Sequence, residues 1–163
     1  MKAFWSLVLA LILSAAPALQ GELPTKKVLT LGMAKKLVAA AEAEAKKRGA
    51  TVVIAVVDDG GQLILLERLD DTQVASVEVA IGKARTAAIF RRPSKVFEDQ
   101  VKNGRVAALA LPGATPLKGG IPITVEGKVI GAIGTSGNSP EEDEEIALAG
   151  AAVAETAVQE EGR

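Results

Sequence analysis

The chain has 163 residues, 19 basic against 20 acidic side chains and 48% hydrophobic residues, so it is nearly neutral and apolar enough to build one core. It contains no histidine, cysteine or tyrosine. This composition excludes disulfides, Ser-His-Asp and Cys-His catalytic units, and the common zinc or copper sites other than those built from carboxylates; with 2% aromatics and no basic stripe it also speaks against nucleic acid as a partner.

Residues 1–18 read as a secretory signal. Lys2 supplies the positive start, Ala3 to Leu13 is apolar apart from Ser6, and Ala16-Pro17-Ala18 matches a small-x-small cleavage site. The expected location is therefore periplasmic or secreted. No membrane span is expected after removal of the signal, because the apolar run falls short of the ~20 residues a bilayer requires. Residues 19–28 are a polar lead-in expected to be flexible, and 29–159 are expected to form a single domain.

Thr30 is placed to cap a first helix running to about Arg48, with Ala34, Leu37, Val38, Ala41 and Ala45 on one face and Gly49 as its stop. Thr51–Val57 and Gln62–Leu69 flank Asp58-Asp59-Gly60-Gly61, which predicts a hairpin whose first strand is covered on both faces. Asp58 is either a site carboxylate at the strand end or a cap for the turn backbone. A second helix is expected from Asp71 or Thr72 to about Phe90. Its main stripe is Val74, Val77, Ile81, Ala84 and Ala88, and a second line runs Val79, Lys83, Thr86, Phe90. Lys83 in that line either lays its stem on the surface or faces an anion in a cleft walled by Thr86 and Phe90.

Arg91, Arg92 and Lys95 form a small basic cluster around Pro93, and Ser94 is the expected cap of a short helix from Lys95 to about Lys102. Val106–Leu111 reads as a strand or a packed extended segment. Pro112 to Gly120 is a loop whose amides, at Gly119 and Gly120 above all, suit a carboxylate or phosphate, although neither a P-loop nor a dinucleotide fingerprint is present. Two strands then meet at Glu126-Gly127. Ser139, Pro140 and Glu142 announce a last helix to about Gln159, its core face made of Ile146, Ala149, Gly150, Val153 and Ala157. Between the last strand and that helix lies Gly134-Thr135-Ser136-Gly137-Asn138. There Gly134 and Ser136 allow close backbone approach, and Asp143, one turn before Ile146, points toward the sheet.

The combination of Asp58-Asp59-Gly60-Gly61, Lys83-Ala84-Arg85-Thr86-Ala87, Gly119-Gly120-Ile121-Pro122-Ile123, Gly131 to Gly137, and Pro140 to Glu144 resembles the haem-degrading GlcG/HbpS-like family. The resemblance runs from about Leu29 to Val158. It implies an α+β, profilin-like fold with a five-stranded antiparallel sheet flanked by helices, assembly into homo-oligomers, and haem as the cofactor. By that resemblance Lys83 and the cluster Arg91, Arg92, Lys95 pair with the propionates and Phe90 touches the macrocycle. The axial ligand would be Met33, a lysine, a hydroxyl such as Thr86 or Thr115, or water, since histidine is absent.

Two functions follow as expectations. One is an exported haem- or tetrapyrrole-binding protein with slow haem degradation or a redox- or iron-sensing role. The other is an accessory protein holding a small anionic metabolite such as a 2-hydroxy acid. The expected ligand-binding residues are Asp58, Lys83, Thr86, Phe90, Gly119, Gly120, Gly134, Ser136 and Asp143. No catalytic residue is named, because no general base stands out beyond carboxylates and Lys83; whether the protein is an enzyme, and whether it holds a metal, stay open.

Overall fold

A computed structural model describes residues 23–161; the expected signal at 1–18 lies outside them. Helix α1, Leu31–Arg48, starts where Thr30 Oγ1 accepts the Met33 N–H at 3.2 Å and ends at Gly49, whose φ of 67° is the left-handed value that favours glycine. Its buried residues are Ala34, Leu37, Val38, Ala41 and Ala45, the stripe expected from spacing alone.

Strands β1 (Val53–Asp58), β2 (Leu63–Arg68), β3 (Gly120–Val125) and β4 (Lys128–Ser136) form an antiparallel sheet in the order β2-β1-β4-β3. The fold is thus α+β with helices on an antiparallel sheet, but four strands are present among the described residues where five were expected. Val106–Ala110 is a 3₁₀ helix, not a strand. Only Ala108 of this turn is buried, and Val106 and Leu109 stay exposed beside α3, Lys95–Lys102.

β1 is central and covered on both sides, and period-2 alternation sorts its side chains. Ile54 and Val56 join the main core under α1 and α4 (Pro140–Glu161), together with Leu37, Ile123, Ile133 and Ile146. Val53, Ala55 and Val57 face α2, Ser76–Phe90, together with Ala80, Ala84, Ala87 and Ala132. The two faces differ in kind. Branched side chains space α1 and α4 away from the sheet, whereas alanine and glycine let α2 lie almost on the backbone of β3 and β4.

That close approach corrects the expected stripe of α2. Val74 lies before the helix and is exposed, and the buried face is Ser76, Ala80, Lys83, Ala84, Thr86, Ala87 and Ala88. The helix also starts later than Asp71 or Thr72: Asp71 takes a left-handed φ of 62°, and Thr72 Oγ1 donates back to the Leu69 carbonyl at 2.7 Å. Ser94 likewise makes no cap bond; its hydroxyl accepts the Gly120 N–H at 2.8 Å and so pins β3 to the start of α3.

A Cβ on Gly134 would press on the Ala80 carbonyl oxygen and the Ala84 nitrogen, and one on Gly120 would press on the Lys83 carbonyl. Both obstacles are helix backbone that cannot rotate aside. Gly134→Ala is therefore expected to cost about 1–3 kcal/mol, as overpacking does, read by denaturant unfolding. An unchanged midpoint would mean that α2 does not rest on this glycine.

Candidate functional site

The apolar spacing that seats α2 also carries Lys83 beneath the bend between β4 and α4. Lys83 Nζ donates to Asp143 Oδ2 at 2.7 Å and to the Thr135 carbonyl at 2.9 Å, and both side chains of the ion pair are buried, 4% and 3% exposed. The other oxygen, Asp143 Oδ1, accepts the Asn138 N–H at 3.1 Å. Thr135 Oγ1 donates to the Asp143 carbonyl, and the Thr135 N–H donates to the Gly119 carbonyl at 3.0 Å. Burial pushes the Asp143 carboxyl above its ordinary value, against the pull of the Lys83 ammonium and the turn amides.

Of the residues singled out from the sequence, Lys83, Thr86, Gly119, Gly120, Gly134, Ser136 and Asp143 lie around this one junction. It is closed. Thr86 Oγ1 donates to the Gly82 carbonyl and accepts the Thr115 N–H, each at 2.7 Å, and Ser136 Oγ lies 3.4 Å from Ser76 Oγ. No buried side-chain polar atom among the described residues lacks a partner. The expected picture of a free ammonium awaiting a guest is therefore corrected: Lys83 already donates to Asp143 and to the Thr135 carbonyl, and the Gly120 N–H is taken by Ser94 Oγ. Glu98 braces the same region from α3. Burial raises its pKa, but the Lys102 ammonium and the Lys118 N–H at 2.5 Å outweigh this and hold it below 4.5.

Asp58 and Phe90 stand apart. Asp58 Oδ1 accepts the N–H groups of Gly60 and Gln62 at 2.9 and 2.8 Å, closing its own turn. Phe90 packs on Phe97 with ring centroids 4.9 Å apart. Met33 is half-buried against the main core. Among the described residues no cluster of three or more carboxylates is placed to hold a metal ion, and no helix is long and apolar enough to cross a membrane.

The open concavity lies elsewhere. A cleft of about 730 Å³ runs between the lead-in segment and the β3–β4 turn, lined by Lys26, Lys27, Arg91 and Lys128, by Asp59 and Glu126, and by Val125, Val129 and Ile130. Lys26 pairs with Asp59 at 2.8 Å and Lys27 with Glu126 at 2.6 Å; both pairs are exposed. Arg91 and Lys128 make no salt bridge among the described residues. The basic cluster has thus divided: Arg91 faces the cleft, Arg92 lies over Phe97, and Lys95 pairs with Glu144 at 3.7 Å. Lys26, Lys27 and Lys128 were not legible as site residues, because only folding brings the lead-in beside a turn a hundred positions away.

A model of the family described as haem degrading protein HbpS-like matches residues 29–152. The chain is 46% identical over 112 residues to Protein GlcG of Escherichia coli strain K12, covering 69% of this chain and 84% of that protein. A crystal structure of a double mutant of Streptomyces reticuli HbpS superposes with a TM-score of 0.75 at 36% identity, covering 86% of this chain and 97% of that one. A crystal structure of a PduOC:heme complex superposes with a TM-score of 0.71 at 28% identity, covering 77% and 94%.

Removing one partner of a buried ion pair strands the other. Lys83→Met and Asp143→Leu are each expected to cost about 3–5 kcal/mol, while the double variant Lys83→Met/Asp143→Leu regains most of it. A denaturant double-mutant cycle checks this, and additive losses would refute the coupling. The pH dependence has two signs. The raised Asp143 carboxyl binds its proton more tightly when folded, so its contribution favours folding at low pH and is lost as pH rises through its folded value. Glu98, held below 4.5, contributes stability above that value which is lost as pH falls through its folded value. Glu98→Gln should therefore flatten the acid limb of a stability–pH curve, and an unaltered limb would count against its role as a brace.

Proposed function

The chain belongs to the HbpS-like family of haem-degrading proteins, and on that premise we propose that it binds haem. The observation that carries this reading is the likeness to the PduOC:heme complex over 77% of the chain. The fit within the chain is to the propionates and not to the iron. Propionates need cations beside an apolar wall, and the cleft supports that with Arg91, Lys128, Val125 and Val129. The sequence has no histidine, cysteine or tyrosine, and Met33 packs against the core, so the usual iron ligands are missing. Holding haem comes first in this reading; degradation or a redox- or iron-sensing role would follow from it, and we derive no step through the iron.

The same cations favour a second reading, an accessory protein holding a small anionic metabolite such as a 2-hydroxy acid. We propose also that the protein acts in the periplasm or outside the cell, on the strength of residues 1–18, so that the exported form begins at Leu19; an intact mass that retains the leader would contradict this. Self-association is supported by the exposed apolar side chains Val74, Val106 and Leu109.

Titrating the purified protein with hemin is expected to give a saturable Soret shift with the midpoint unaffected by Met33→Leu. Absence of any shift, together with saturable binding of glycolate or lactate, would replace the first reading by the second.

A further inference from the structure

The described residues contain three non-glycine positions with φ in the left-handed region, and two of them, Arg91 at 54° and Glu126 at 50°, line the same cleft. A side chain makes that backbone costly, and glycine is the residue that relieves it at a helix end. Arg91 occupies the position that closes α2, with its N–H bonded to the Ala87 and Ala88 carbonyls. Its guanidinium makes no salt bridge among the described residues, so no ion pair explains why an arginine stands there. Such strain is tolerated where a side chain has work to do.

The charge of the cleft points the same way. Four cations and two carboxylates line it, in a chain whose net charge is −1. Lys26 and Lys27 are engaged with Asp59 and Glu126, but those pairs are exposed, and exposed pairs exchange partners at little cost. Hydrogen bonding to Lys26 lowers the Asp59 carboxyl, and hydrogen bonding to Lys27 lowers that of Glu126, so both partners are anionic at neutral pH and hold the lysines over the cleft.

We propose that this cleft is a binding site for a ligand carrying paired carboxylates, gripped first by Arg91 and Lys128 and then by Lys26 and Lys27 as they leave Asp59 and Glu126. The guanidinium fork takes one carboxylate in two hydrogen bonds, and the ammonium of Lys128 takes the second. Val125, Val129 and Ile130 give the carbon skeleton a dry wall. The two propionates of a tetrapyrrole and the carboxylates of a free dicarboxylate share this chemistry, and only the first source rests on the haem-binding reading.

The test uses the purified protein with four probes: hemin, protoporphyrin IX, its dimethyl ester, and tartrate. Arg91→Gly and Lys128→Gln are each expected to raise the Kd for protoporphyrin IX at least tenfold, to leave the weaker binding of the ester unchanged, and to reduce sensitivity to salt. Arg91→Gly should at the same time keep or raise the thermal midpoint, because it relieves the left-handed backbone; a loss of binding therefore cannot be a loss of fold. If tartrate binds, is weakened by the same variants, and no porphyrin binds, the site stands and the haem reading fails. If hemin and protoporphyrin IX bind wild type and both variants equally, the site assignment is overturned while the haem reading survives. Binding of none of the probes overturns the assignment.

Discussion

Everything in this structure that concerns a ligand depends on how closely α2 can approach the sheet. Glycine and alanine on β3, β4 and α2 bring the helix backbone against strand backbone, and that approach delivers Lys83 to Asp143 and the Thr135 carbonyl. A bulkier interface would lift the helix and leave an ammonium buried without its counter-ion, which an interior does not tolerate. The ion pair is therefore a consequence of packing and also its lock, tying α2 to the bend that starts α4. The fold uses its best-placed cation to hold itself together.

What remains for a guest is the periphery. Each buried side-chain polar atom of the closed junction already has an internal partner, whereas the cleft by the β3–β4 turn keeps two cations outside any salt bridge and two more in pairs that water already weakens. Buried and exposed pairs differ here by their environment and not by their chemistry. Lys83 and Asp143 are fixed because both are buried, away from solvent, and held by further bonds to the Thr135 carbonyl and the Asn138 N–H, while Lys26 and Lys27 are exchangeable because solvent or a ligand can replace what they lose.

The fold was legible where one force set the pattern. The stripe on α1, the doubly covered β1, the turn at Glu126-Gly127 and the start of α4 at Ser139 follow from spacing, β-branching and capping. It was illegible where two forces competed. Thr72 looked like a helix start, but its hydroxyl turns back to Leu69, and the apolar run at Val106 winds into a 3₁₀ turn in place of a strand. The sequence singled out Lys83 and Asp143 separately, because a polar residue in an apolar line is conspicuous. It did not show that each answers the other across 60 positions, nor that Arg91 and Lys26 share a cleft.

The central claim is a division of labour: Lys83 serves the fold and Arg91 meets the ligand. Proton–nitrogen NMR of lysine ammonium and arginine Nε groups separates the two in a single titration with protoporphyrin IX. The account predicts a slowly exchanging Lys83 signal that stays in place while the Arg91 Nε signal shifts and saturates; a Lys83 signal that moves with ligand while Arg91 stays still would contradict it.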